Sequence, residues 1–213
     1  PYFVQYVETS KTAGKKIVAL TFDLCTPSVN YKTSIGDYLV NNNIKATFFI
    51  ASGFAAAHTD VFNFIKSHSN LFEIGNHSNT HPVGENSSPF WDGPAGTQAD
   101  MDKQFKDAQA WFTSHGVTPR ICRLPVAAPT RMEKSGSVKF LKSQPCAEFI
   151  QYSIWPGDTA NNLSAIKTRL KVGRGEIILL HAGYQATADT LPSIVEYLKN
   201  QGYSFYTVSE LLS

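Results

Sequence analysis

The sequence predicts an α/β protein built on a mostly parallel, buried sheet. Three observations carry this. Short apolar runs without polar alternation, at 17–20, 46–50 and 177–180, read as strands covered on both faces. They alternate with segments of helical period in about seven βα repeats. Polar residues suited to chemistry (Asp23, His77, Arg123, Asp158 and His181) fall at or just past strand carboxyl ends, the rim where α/β folds build their sites. Periodicity does not choose between an open sheet and a closed barrel.

The elements follow in order. Residues 17–22 form the first strand. Residues 31–41 are helical, with Ile35, Tyr38 and Leu39 on one face and Asn42-Asn43 suited to the end. A strand at 46–50 and a helix at 55–67 come next. A short strand at 72–75 runs into Asn76 and His77. Residues 82–97, rich in Pro, Gly, Ser and Asn, read as a loop. The clearest helix is 98–114, where Met101, Phe105, Ala108 and Phe112 keep a helical period and Gly116 supplies a stop signal. Residues 121–123 are strand-like, and Pro125 and Pro129 then force irregular chain. Helices are expected at 134–143 and 163–172, the latter capped by Asn161. Further strands are expected at 149–154, 177–180 and 203–206, with a helix at 191–200 and a closing turn or helix at 208–212.

With 213 residues and no dividing linker, the chain reads as a single domain over 1–213. A formal charge of +2 with 17% charged residues does not suit a nucleic-acid surface. No apolar run reaches membrane-spanning length. No signal peptide is present, and the opening Pro1-Tyr2-Phe3-Val4 reads as a mature or trimmed form. Abundant Asn, Ser, Thr and aromatics lean towards a secreted or envelope protein. Three triplets, beginning at Asn76, Asn86 and Asn162, fit the glycosylation sequon, as many do by chance. Cys25, Cys122 and Cys146 leave open one disulfide plus a thiol or three buried thiols. Cys25 and Cys122 lie at strand ends on one rim, so that pair is open too.

Asp23 ends a buried strand, an expensive position for a carboxylate unless a site uses it. His77 and His81, spaced i, i+4, would share one face of a helical turn, close enough to hold one metal; the alternative is two surface histidines by accident. A third ligand must come from elsewhere, Asp23 being one source. His181 caps an apolar strand and is either a hydrogen-bonded structural residue or an acid/base group. Arg123, among apolar neighbours, needs a partner, which Asp158 could supply. Trp111 reads as core. Trp91 and Trp155, on loops, suit either sugar stacking or loop packing.

Together these residues resemble the NodB-like polysaccharide deacetylases, carbohydrate esterase family four, over about 17–212. The family's Thr-Phe-Asp-Asp-Gly motif reads Thr21-Phe22-Asp23-Leu24-Cys25 here. Its His-Ser/Thr-x-x-His motif is His77-Ser78-Asn79-Thr80-His81. Its Arg-and-proline motif is Arg123-Leu124-Pro125. Its Asp-Trp motif keeps Asp158 but has Thr159, and its Leu-x-His motif is Leu179-Leu180-His181. The resemblance implies a distorted (β/α) barrel, often seven-stranded. It implies a divalent metal, zinc by ligand type, on His77 and His81. It makes Asp23 the base, His181 the acid, Arg123 and Asp158 the residues that orient and tune Asp23, and Leu179 the acetyl-pocket wall. Trp155 is placed to replace the aromatic lost at Thr159. Leu24 stands where the family has a metal-binding carboxylate, so Cys25 or Asp23 becomes the candidate third ligand; if residue 24 faces the site, Leu24→Asp should raise metal affinity. The expected partner is an acetylated polysaccharide or oligosaccharide such as chitin or peptidoglycan, met by a monomer. Two other readings stand beside deacetylation: a non-catalytic carbohydrate binder, and a hydrolase of small amides or imides.

Overall fold

The computed structural model describes residues 3–82, 97–125, 132–133 and 136–213. The expected loop at 82–97, with Trp91, lies almost wholly outside them, as does Pro129. Two short strands open the described chain, β1 (Phe3–Val4) and β2 (Tyr6–Val7). They precede β3 (Ile17–Leu24), β4 (Ala46–Ile50), β5 (Phe72–Asn76), β6 (Ile121–Cys122), β7 (Glu148–Ile150), β8 (Gly175–His181) and β9 (Ser204–Phe205). The sheet runs β1-β7-β6-β5-β4-β3-β8-β2, with β9 beside the start of β3. Strands β3 to β8 are mutually parallel along it.

One N-terminal segment brings the sheet's two ends together. β1 pairs with β7, and β2, one residue further on, pairs antiparallel with β8. Above it, Ile154 bridges to Ile178. The result is a nearly closed barrel, as the resemblance implied. Among the described residues the sheet has nine strands rather than seven, because the two N-terminal strands carry no apolar run long enough to read from sequence. The expected strand 149–154 is shorter, ending at Ile150 and leaving Ile154 as that single bridge.

The alternation of β3 decides which side chains reach the site. Val18, Leu20, Phe22 and Leu24 belong to the large apolar cluster between sheet and helices. Ile17 and Ala19 belong to the inner cluster, with Phe49, Ile150 and Ile177. Odd residues therefore face inward and even residues outward. The apolar cluster holds α1 (Thr33–Asn41), α2 (Ser52–Ala57) and α3 (Thr59–Ser67) against the sheet. The single helix expected at 55–67 is two, broken at His58, whose ring bonds the Pro27 carbonyl at 2.7 Å. Helix α4 (Gln98–Ser114) has the expected bounds, fixed by a Thr97–Asp100 capping box. Trp111 is only partly buried, at the edge of the core.

Residues Ser137–Ser143 form a 3₁₀ helix rather than an α-helix. Helix α5 (Leu163–Arg169) is capped by Asn162, one residue later than expected, which accepts from Ala165 N at 3.0 Å. Helix α6 (Gln185–Asn200) starts earlier than residue 191 and carries Pro192 inside it. Helix α7 (Val208–Leu212) sends Val208 and Leu211 into the inner cluster, plugging the interior away from the rim. A disulfide joins Cys122 to Cys146, excluding the Cys25–Cys122 pair and leaving Cys25 free. Closing that loop contributes roughly 3 kcal/mol in the chain-entropy picture.

Candidate active site

β3 delivers Asp23 to the inner face, in register with His181 of β8 and Phe49 of β4. In-register neighbours point the same way, so the carboxylate and the imidazole stand side by side. Arg123 follows β6 and is 1% exposed. Its Nη1 donates to Asp23 Oδ1 and to Thr21 Oγ1, both at 2.8 Å, and its guanidinium lies 4.1 Å from the centre of the Phe49 ring. Gly75 makes room for that ring: a Cβ there would stand 2.5 Å from it. A guanidinium so buried needs a paired charge, and Asp23 supplies it. Burial alone would raise the Asp23 pKa. The neighbouring Arg123 guanidinium, through its charge and its hydrogen bond, leads the groups that outweigh burial and hold it below the usual carboxylate range.

His77 and His81 do not sit on a helical turn. The segment after β5 is irregular, with Ser78 at φ 74° and His81 at φ 49°, and it still brings the rings 4.7 Å apart. Local polar contacts hold this turn against its strain. Asn76 Oδ1 accepts from Ser78 N at 3.0 Å, and Ser78 Oγ accepts from His81 N at 3.1 Å. From α4, Gln104 Oε1 accepts from the backbone N–H groups of Asn79 and Thr80. Gly53 N donates to the Asn79 carbonyl at 2.9 Å, and a Cβ at that glycine would meet the same oxygen. His77 Nδ1 faces the Arg123 carbonyl at 3.0 Å, which fixes Nδ1 as donor and turns the Nε2 lone pair inward. That Nε2 lies 3.5 Å from Asp23 Oδ2 and 3.9 Å from Cys25 Sγ.

Asp158 is fully buried, but it does not partner Arg123 or touch Asp23 as expected. It accepts from His181 N at 2.7 Å, Thr187 Oγ1 at 2.7 Å and Trp155 Nε1 at 3.1 Å, and it lies 3.3 Å from His181 Nδ1. Four residues past the expected strand end at residue 154, its position gave no sign of this geometry. Burial lowers the His181 pKa, but the hydrogen bond and charge of Asp158 more than offset it, and the net shift is upward.

A cavity of about 600 Å³ opens above these groups. Asp23, Cys25, His81, Arg123 and His181 line it, with Leu124, Gln151, Tyr152, Trp155 and Leu179 as its other walls. Trp155 is half exposed. Leu24 is absent from this lining: it is fully buried in the outer apolar cluster. Gln104, Thr187, Gln151 and Tyr152 were not singled out from sequence. Of these only Gln104 left a signal, a polar side chain on the apolar face of α4, three residues from Met101.

The donors present fit a metal ion. One ligand atom each from Cys25, His77 and His81 lies within 4.8 Å of the others. His81 Nδ1 is buried with no hydrogen-bond partner among the described residues. Burial pulls the His81 pKa down to about 3 and also lowers that of His77, so burial favours the neutral form that a ligand needs. Burial pushes the Cys25 thiol upward, and nearby Asp23 adds to this.

Comparison with known proteins places this chain in a family. The model for polysaccharide deacetylases matches residues 10–135, and the chain belongs to that family. The peptidoglycan-N-acetylglucosamine deacetylase PgdA of Listeria monocytogenes is 27% identical over 99% of this chain and 42% of its own length. A bifunctional xylanase/deacetylase of Pseudobutyrivibrio xylanivorans is 29% identical over 95% of this chain and 31% of its own. The chain thus spans 42% or less of these two relatives. The solved structure of the peptidoglycan deacetylase PdaC from Bacillus subtilis superposes with a TM-score of 0.72 at 25% identity, covering 92% of this chain and 90% of that one. A CE4 family pseudoenzyme from Bacillus anthracis superposes at 0.77, covering 100% of this chain and 69% of that one; at 22% identity it shows the fold alone.

Proposed function

We propose that residues 1–213 act as one domain that hydrolyses N- or O-acetyl groups on a carbohydrate polymer, peptidoglycan or chitin-like, with a divalent metal. One observation carries the reading: the ion-paired Asp23 and the Asp158-backed His181 stand in register over the same cavity that His81 and Cys25 enter. His77 and His81 would hold the metal, zinc being the cation that suits imidazole ligands. When bound, it supplies Lewis acidity that acidifies water and polarises an acyl oxygen.

The chain's own residues do the rest. Asp23, kept ionised by Arg123, takes the proton of the attacking water. His181, whose Nδ1 is backed by Asp158, delivers a proton to the leaving amine or alcohol. Leu179 and Leu124 give the acetyl methyl an apolar wall. The half-exposed Trp155 offers a ring face to a sugar at the rim. The disulfide supports placement outside the reducing cytoplasm, in the envelope or secreted.

Leu24 favours one second reading. An apolar residue stands where the family's motif carries a carboxylate, which suits a carbohydrate binder without catalysis. Acetate release from chito-oligosaccharides, peptidoglycan fragments and acetyl-xylan separates the two. Release that is lost in Asp23→Asn is the expected result. Glycan binding with no acetate from any of the three would select the binder.

A further inference from the structure

We propose that Cys25, as thiolate, is the third protein ligand of this centre, making a Cys-His-His site that prefers thiophilic cations such as zinc, cobalt(II) and cadmium. The inference rests on the metal-hydrolase reading above and names the ligand which that reading lacks.

Strand parity is the first support. Residue 24 falls on the outward face of β3, fully buried among apolar side chains, so a ligand can come only from its neighbours. Cys25 follows Leu24 and lines the cavity. Distance is the second. In a tetrahedral zinc site, with sulfur at about 2.3 Å and nitrogen at about 2.0–2.1 Å, sulfur and nitrogen stand roughly 3.6 Å apart. Cys25 Sγ lies 3.9 Å from His77 Nε2, the nitrogen left free by the Nδ1 contact to the Arg123 carbonyl. His81 completes the set within 4.8 Å, and its Nδ1 is buried with no hydrogen-bond partner among the described residues. The third support is what Asp23 is already doing. Its Oδ1 is engaged by the buried Arg123 guanidinium at 2.8 Å, and a ligand drawn from Cys25 leaves the carboxylate free as a base. On binding, the thiol proton passes to solvent and the sulfur lone pair goes to the metal. A thiolate in the set shifts preference from hard to soft cations.

The test is cobalt(II) titration of chelator-treated protein, followed by absorption. A stoichiometric complex with a near-ultraviolet thiolate-to-cobalt charge-transfer band is expected. Cys25→Ser should lose the band and bind zinc more than about 100-fold less tightly, beyond the usual cost of losing an outer-shell partner. Should that variant not fold, alkylation of wild-type Cys25 by iodoacetamide gives a second readout, and zinc should block it. Stoichiometric cobalt binding without the band, or alkylation indifferent to zinc, overturns Cys25 as a ligand and leaves the histidine centre and the deacetylase reading standing. Failure to bind either cobalt or zinc overturns both.

Discussion

His181 and the His77–His81 pair serve one cavity but are solved in opposite ways. Behind His181 stands a carboxylate with every oxygen engaged: Asp158 takes backbone, hydroxyl and indole donors as well as the ring. At the pair, His77 Nε2 meets a thiol and a carboxylate, while His81 Nδ1 has no hydrogen-bond partner among the described residues. The pKa directions follow. Burial lowers all three, and only at His181 does a partner reverse it. A backed ring whose pKa is raised suits proton delivery. Rings held neutral with a free lone pair suit a cation. The same residue type is assigned two tasks by what lies behind it.

Substitutions at four positions break or sharpen that contrast, in descending effect. Asp23→Asn removes the base that serves both halves. A fall of about 10²–10⁴-fold in kcat is expected, the usual worth of a general base. Metal content should persist, because the histidines and Cys25 are untouched. Leu24→Asp comes next. It places a carboxylate in the outer apolar cluster, so a loss of stability on the order of 3–5 kcal/mol is expected in chemical denaturation, with no gain in zinc affinity.

Asp158→Asn should act on the His181 half alone. Because the folded His181 pKa is raised, its contribution to stability is complete below the ordinary value near 6.5 and is lost as pH rises through the folded value. The variant should shrink that contribution and move the alkaline limb of kcat/KM to lower pH, with a rate loss of about tenfold. Zinc affinity should not change. The smallest effect is expected of Trp155→Phe, which keeps a ring at the rim but loses the N–H donor to Asp158. KM for an oligosaccharide should stay within about threefold, while Trp155→Ala should raise it by up to about tenfold, the scale of one aromatic contact.

Much of the barrel was legible in the sequence. The runs at 17–20, 46–50 and 177–180 are apolar throughout because both faces are covered, and helix α4 carries its period and stop signal openly. β1 and β2 were not legible, since two-residue strands have no period. The site divides the same way. Asp23, His77, Arg123 and His181 were found because each follows or ends a strand. The partnership of Asp158 with His181 depends on a turn through Trp155 and on Thr187 of α6, a contact between segments far apart in the chain. Likewise, i, i+4 spacing suggested a helical turn, whereas left-handed Ser78 and His81 achieve the convergence through bonds to Asn76 and Ser78, with Gln104 holding the Asn79 and Thr80 backbone between them. The outward side of Leu24 could have been read from the alternation of β3, had its even residues been followed as closely as its odd ones.

The central claim is that this cavity couples a cation on the His77–His81 side to proton transfer on the His181 side. Acetate release from an N-acetylated oligosaccharide, measured as purified, after chelation and after zinc is returned, tests it most directly. Release should disappear on chelation and recover with one equivalent of zinc. Release unaffected by complete metal removal would contradict it.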